Sequence, residues 1–198
     1  MVVGVFVLAF TLDSGDTPID SPDLPSDDPS DEPLDTDKEN TNNTPIIEMF
    51  KVPCNLETYT VLRKYYSLDG TTEEQEMAVI QFGSKYFLSR GISLKDENDN
   101  AFDVLASMSG VVSEVTESPI YGITVVLDHG DGFSTEYISL SEATVTVGEE
   151  VKQGQKIGVS GKNEYDASAS NHLHFKICKN GEYYNPLEIL GTRKAEIQ

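Results

Sequence analysis

The chain has 198 residues, with 34 acidic and 14 basic side chains, a formal charge of −20 and an isoelectric point near 4.3. That length holds one domain of roughly 100–150 residues plus attachments. An acidic surface repels polyanions over a Debye length, which sets aside sequence-independent nucleic-acid binding and attraction to anionic membrane surfaces.

Residues 2–12 (VVGVFVLAFTL) form an uninterrupted apolar run that stops at Asp13. A bilayer span takes about 20 residues. A signal peptide needs a basic start and a small-residue cleavage site, and the run has neither. A strand of the folded domain is the bland alternative, but it would be cut off from its domain by some thirty polar residues. Residues 1–12 are therefore read as part of a single-pass membrane anchor whose basic start lies upstream, with the N-terminus inside and the domain outside. Residues 13–45 carry eleven acids, one base and six prolines and almost nothing apolar. Such a segment cannot bury enough surface to offset its ordering entropy, so a disordered acidic, Pro-rich linker is expected. At roughly 3 Å per residue it reaches on the order of 100 Å when stretched, the scale of a tether.

From residue 46 onward β-branched and aromatic residues alternate with Gly, Asp-Gly and Asn-Gly, which predicts a mainly β, antiparallel domain. Residues 57–66 and 78–88 read as strands around 68–76, where Thr72 with Gln75 could cap a short helical turn. Residues 123–128 and 133–138 flank the turn His129-Gly-Asp-Gly132, and 173–179 meet 182–184 across Asn180-Gly181. Both pairs predict hairpins. His129 is expected as an exposed polar residue of its turn. Cys54 and Cys178 could form one bridge in an extracytoplasmic setting or remain two thiols.

Between residues 106 and 161 glycine-closed turns alternate with Val and Ile, as in small barrel-like domains. Biotin- and lipoyl-carrier domains share that pattern but need a modifiable Lys on a central hairpin, and residues 113–149 contain no Lys. A second resemblance reaches further. Tyr137-Ile-Ser-Leu-Ser141, the turn at 148–158, Asn171-His-Leu-His-Phe175 and Asn185-Pro-Leu187 resemble, in order and spacing, the lysostaphin-type (LytM, peptidase family M23) zinc endopeptidases of peptidoglycan. The resemblance covers residues 89–191, with 46–88 as an N-terminal β extension and 192–198 as a tail. It implies a barrel-sandwich-like antiparallel sheet.

Active members of that family hold zinc with a His and an Asp from a His-x-Gly-x-Asp segment and with the second His of His-x-His. A catalytic zinc needs three such ligands and an open position for water. Here the first segment reads Ser89-Arg-Gly-Ile-Ser93, and of the metal positions only His174 keeps its ligand. The histidine of the family's Gly-His-Leu segment is replaced by Ser139, which leaves His172 as the only catalytic helper. No metal site, no zinc cofactor and no catalytic set are therefore expected. His172 and His174 are read as polar liners of a dead groove, or as the remains of a ligand site. Cys178 faces the same side of its strand as His174 but lies roughly 13 Å away, too far to share a metal.

Within the family, residues 102–110, Tyr137-Ile-Ser-Leu-Ser-Glu142 and Ser160-Gly-Lys-Asn-Glu-Tyr-Asp166 are similar to the stage II sporulation protein Q group. That resemblance implies a non-catalytic, single-pass protein of the forespore membrane with its domain in the intermembrane space. Its implied partner is a stage III sporulation protein AH-like membrane protein of the mother cell, bound during engulfment as part of a bridge or channel. Edge strands of the β domain could pair with the partner's sheet. Two rival roles share the same fold: activation of a cell-wall amidase through the groove around Ser139, His172 and His174, or non-cutting retention of peptidoglycan by aromatics such as Tyr183 and Tyr184.

Overall fold

Period-two alternation builds the sheet. In the computed structural model, which describes residues 47–197, Leu173, Phe175 and Ile177 all point into the core and are fully buried. The intervening His172, His174, Lys176 and Cys178 face the other side, as side-chain alternation requires. The strands are β1 (Thr60–Arg63), β2 (Val79–Phe82), β3 (Lys85–Leu88), β4 (Ile92–Lys95), β5 (Asp103–Leu105), β6 (Gly110–Ser118), β7 (Gly122–Asp128), β8 (Phe133–Ala143), β9 (Glu150–Val151), β10 (Lys156–Ser160), β11 (Leu173–Lys179) and β12 (Glu182–Tyr184). Two short α-helices, α1 (Thr72–Met77) and α2 (Pro186–Ile189), and two 3-10 turns at Ala167–Ala169 and Lys194–Glu196 accompany them. Among the described residues no helix is long and apolar enough to cross a membrane. The expected anchor (1–12) and linker (13–45) lie outside the described residues.

The sheet runs β1-β4-β11-β8-β7-β6-β9, with β10 joining β5 to β8 and β12 on β11. Its pairings are antiparallel, so the expected mainly β, antiparallel class holds. On its core face Ile92, Leu94, Val125, Leu127, Tyr137, Leu140, Ile157 and the β11 residues form one hydrophobic cluster with Phe50 and Phe102. Tyr137 is buried there because its hydroxyl is satisfied: it accepts from the Ser107 N–H at 2.8 Å and lies 3.0 Å from Thr135 Oγ1. Residues 192–197 fold back as well, with Met49 bridged to Arg193 and the Lys179 ammonium donating to the Ile197 carbonyl at 2.6 Å.

Both predicted hairpins form. β7 and β8 close through Gly130, Asp131 and Gly132, all at positive φ, and β11 and β12 through Asn180 and Gly181, also at positive φ. Other expectations need correction. Residues 78–88 are not one strand but the hairpin β2–β3, which reverses at Gly83 (φ 61°). Only Thr60–Arg63 of the 57–66 segment is strand, because only there does β4 supply a partner. The helix cap is Thr71 with Glu74, one residue earlier than Thr72 with Gln75. Thr71 Oγ1 accepts from the Glu74 N–H, and the Glu74 carboxylate accepts from the Thr71 N–H.

His129 is not exposed. It is 7% accessible, packs edge-on against Phe50, donates from Nδ1 to the Ser109 carbonyl (2.9 Å) and sets Nε2 2.7 Å from Thr135 Oγ1. Both cysteines are free: Cys54 is buried beside β5, and Cys178 is half-buried on β11.

Candidate functional site

Register brings the singled-out residues together. Strand β11 lies between β4 and β8, and His174 is paired with Ser93 on one side and Ile138 on the other. One residue before the strand, His172 bridges to Gly161. All four polar side chains, Ser93, Ser139, His172 and His174, are more than nine-tenths buried. The gap between β4 and β11 is narrow, since a Cβ added at Gly91 would run into the Phe175 carbonyl oxygen and the Lys176 side chain. We predict that Gly91→Ala destabilises the domain by about 2 kcal/mol, the usual cost of overpacking, read as a lower midpoint in urea unfolding.

Ser93 Oγ lies 3.0 Å from His174 Nδ1. Ser89 is turned onto its own loop, with Oγ donating to the Gly91 carbonyl at 2.8 Å. Ser139 donates to the Gly161 carbonyl at 3.2 Å and holds a left-handed backbone (φ 73°). His172 Nδ1 donates to the Ser170 carbonyl at 2.9 Å, with Ser139 Oγ a further 3.5 Å contact. Burial lowers the pKa of His172. Burial also pushes His174 down to about 3, helped by the nearby Lys176 charge. Both rings are neutral at physiological pH.

The family's zinc would have to sit at Ser89, Ser93 and His174. Neutral hydroxyls are poor donors for a divalent ion, Ser93 is already committed to His174, and Ser89 to its own backbone. These residues do not fit the metal. Among the described residues, no three His, Cys, Asp or Glu side chains are grouped to hold one. Cys178 does not line the cavity.

Above the histidines opens a cavity of about 780 Å³, and most of its wall escaped the sequence reading. Tyr65, Tyr66, Tyr86, Phe87, Tyr121 and Tyr165 line it. The two walls touch: Phe82 and Phe87 of the β2–β3 hairpin pack on Tyr165 at ring-centroid distances of 5.9 and 5.5 Å, and Tyr121 packs on the same ring at 5.0 Å. Beneath them Arg63 of β1 grips Asp166 with two hydrogen bonds of 2.8 and 2.9 Å. Burial alone would raise the Asp166 pKa, but bonds from Arg63 and Ser168 hold it below the usual carboxylate range. The aromatics expected in the groove, Tyr183 and Tyr184, are not on its wall. Tyr183 instead donates to Glu136 at 2.6 Å and lies against Lys176 and Arg90. The motif at 160–166 holds two of its residues, Tyr165 and Asp166.

The model of peptidase family M23 matches residues 88–186. Stage II sporulation protein Q of Bacillus subtilis is 42% identical over 142 residues, which cover 72% of this chain and 50% of that protein. A chain in the structure of the SpoIIQ-SpoIIIAH pore forming complex superposes with a TM-score of 0.75 at 41% identity, covering 76% of this chain and 96% of that one. A zinc-containing peptidase from Vibrio cholerae, with a TM-score of 0.55 at 19% identity over 70% of this chain and 39% of its own, shares the fold. The resemblance read from the sequence motifs is confirmed. The chain spans about half or less of the length of the first curated relatives it matches.

Proposed function

This chain belongs to peptidase family M23, and from that premise we propose that it is a non-catalytic sporulation protein that binds a membrane protein of the opposing cell. In this reading residues 1–12 anchor it in the forespore membrane and residues 13–45 carry the domain into the intermembrane space. There the domain meets a stage III sporulation protein AH-like partner during engulfment. The observation that carries the partner is the match to SpoIIQ as it occurs in the SpoIIQ-SpoIIIAH complex, which extends over 96% of that chain.

Loss of hydrolysis rests on the donor set. Ser89, Ser93 and Ser139 stand at the degenerate metal and catalytic positions, and only His172 and His174 keep their residue type. One imidazole and two occupied hydroxyls cannot acidify a water. Strand addition has a candidate edge. Beyond Val111, where β9 stops pairing, residues 113–118 of β6 have no partner strand on their outer side among the described residues.

The full chain, used as bait in extracts of sporulating cells, is expected to recover a membrane-anchored mother-cell sporulation protein equally well with and without zinc. Added zinc is expected to leave its melting temperature unchanged, since a ligand without a native site gives no linkage stabilisation. Recovery of an amidase, or of wall fragments alone, would replace this role with one of its rivals. A zinc-dependent rise of several degrees together with peptidoglycan cleavage would restore the enzyme.

A further inference from the structure

Away from the cavity, the two ends of the domain meet on one buried histidine. Residues 51–55 run antiparallel to 103–107, with the Lys51 N–H on the Ser107 carbonyl (2.9 Å), the Leu105 N–H on the Pro53 carbonyl (3.1 Å) and Cys54 bridged to Val104. On its other side this entry segment pairs with the tail: the Phe50 N–H donates to the Thr192 carbonyl at 3.0 Å, and the Gly191 N–H returns to the Phe50 carbonyl at 2.8 Å. Neither segment belongs to β1–β12, so each is held by what it touches. His129 touches both. Its ring packs on Phe50, and its carbonyl accepts from the Lys194 ammonium at 2.7 Å. Its Nδ1–H bonds to Ser109, whose N–H and hydroxyl hold the Glu48 carboxylate at 2.8 and 2.6 Å.

The hydrogens around this ring have one arrangement. A carbonyl oxygen only accepts, so Nδ1 carries the proton of the neutral ring and Nε2 accepts from Thr135 Oγ1 at 2.7 Å. Thr135 has a single hydroxyl hydrogen, so in the 3.0 Å contact beyond it Tyr137 donates to Thr135. A second proton on His129 reverses this chain: Nε2–H needs Thr135 as acceptor, and Thr135 must turn its own hydrogen onto Tyr137. The Tyr137 hydrogen then has no acceptor among the described residues, in a hydroxyl that is fully buried and already takes the Ser107 N–H. Of the charged groups facing the ring, Lys194 of the tail opposes an imidazolium, while Asp128 and Glu48 favour one. Asp131 meets the Lys194 ammonium at 3.0 Å. Burial is the largest influence and lowers the pKa of the ring below its ordinary 6.5. Once the two ends detach, water reaches the ring and both obstacles vanish, so detachment and proton uptake favour each other. We propose that His129 is a latch for both ends of the domain, which opens on protonation and frees residues 47–55 and 191–197 while the sheet stays closed. If residues 13–45 are the tether, the freed entry segment lengthens it by roughly 30 Å when extended; that consequence rests on the proposed function, and the latch itself does not.

The test uses the full chain alone, without partner or membrane. Cys54 reports the latch, since its thiol is buried in the entry segment and the other cysteine of the chain is removed by Cys178→Ser. Its protection is the rate of reaction with dithiodipyridine in the urea-unfolded chain divided by that in the folded chain at the same pH. That ratio is expected to fall severalfold from pH 7 to pH 5. Over the same window, hydrogen exchange of residues 47–55 and 191–197, corrected for the intrinsic rate, is expected to speed up while residues 173–179 keep their protection. His129→Gln has no proton to gain, and Cys54 in that variant is expected to lose most of this pH dependence, whatever its level of protection. Hydrogen exchange in the unaltered chain decides the matter if the variant does not fold. Equal loss of protection at 173–179 would mean unfolding of the whole domain and overturn the proposal. So would a protection of Cys54 that does not change with pH, or an unchanged pH dependence in His129→Gln.

Discussion

Arg63→Ala is expected to destabilise the domain by about 3 kcal/mol, because it strands a carboxylate that has almost no access to water. The Asp166 side chain is 3% exposed and that of Arg63 17%, and the guanidinium meets the carboxylate through two bonds. Removing one partner of such a pair leaves an uncompensated buried charge, whereas removing both leaves none. A double-mutant cycle with Asp166→Ala separates the two effects: the double variant is expected to lose markedly less than the sum of the single ones. In a domain of this size 3 kcal/mol corresponds to a fall in melting temperature of roughly 6–12 °C. Equal additivity of the two single changes would show that the pair is not coupled. The damage should spread to the cavity, since Arg63 lies on β1, and Asp166 follows directly on Tyr165, the ring that both walls share.

Mild acid is expected to weaken the domain through its histidines. His129, His172 and His174 are all buried, and burial is the first cause lowering each pKa below the unfolded value of 6.5. Around His129 the charges of Lys194, Asp128 and Glu48 modify that cost. Around His174 those of Lys176, Asp166 and Arg63 do so. With folded pKa values depressed, the unfolded chain binds protons first as pH falls. The stabilisation is thus fully present above about pH 6.5 and is lost below it until each folded value is reached, near 3 for His174. Each histidine that stays neutral in the fold costs about 1.4 kcal/mol per pH unit over that window. Between pH 7 and pH 5 His174 alone accounts for about 2 kcal/mol, a sizeable share of the about 5–15 kcal/mol of an ordinary domain, and His129 and His172 act in the same direction. Urea unfolding at the two pH values checks this, and His129→Gln should make the pH dependence shallower. An unchanged midpoint at pH 5 would mean that the rings are protonated in the fold.

What could be read in the sequence was set by separation along the chain. The two hairpins at 129–132 and 180–181 were legible because their turn residues take positive φ, which Gly, Asn and Asp favour locally. The β2–β3 hairpin turns at Gly83-Ser84, a short Gly-Ser pair between two four-residue strands that the reading of 78–88 as strand ran across. The positions of Ser93, Ser139, His172 and His174 followed from motif spacing and meet at one cavity or its floor. The rest of that cavity depends on contacts no local pattern announces, such as Arg63 with Asp166, 103 residues apart. His129 was misjudged for the opposite reason: its turn is exposed, yet Phe50 from the distant start of the domain covers its ring.

The place of β11 in the sheet fixes when this domain can exist during synthesis. Its neighbours β4 and β8 emerge much earlier, and His174 meets a residue 81 positions before it. Until residues 173–179 have left the ribosome, β4 and β8 have an empty slot between them and the core lacks Leu173, Phe175 and Ile177. Contacts of such long range form late and slowly. A protein cut short before β11 therefore loses the middle of the sheet rather than one edge of it.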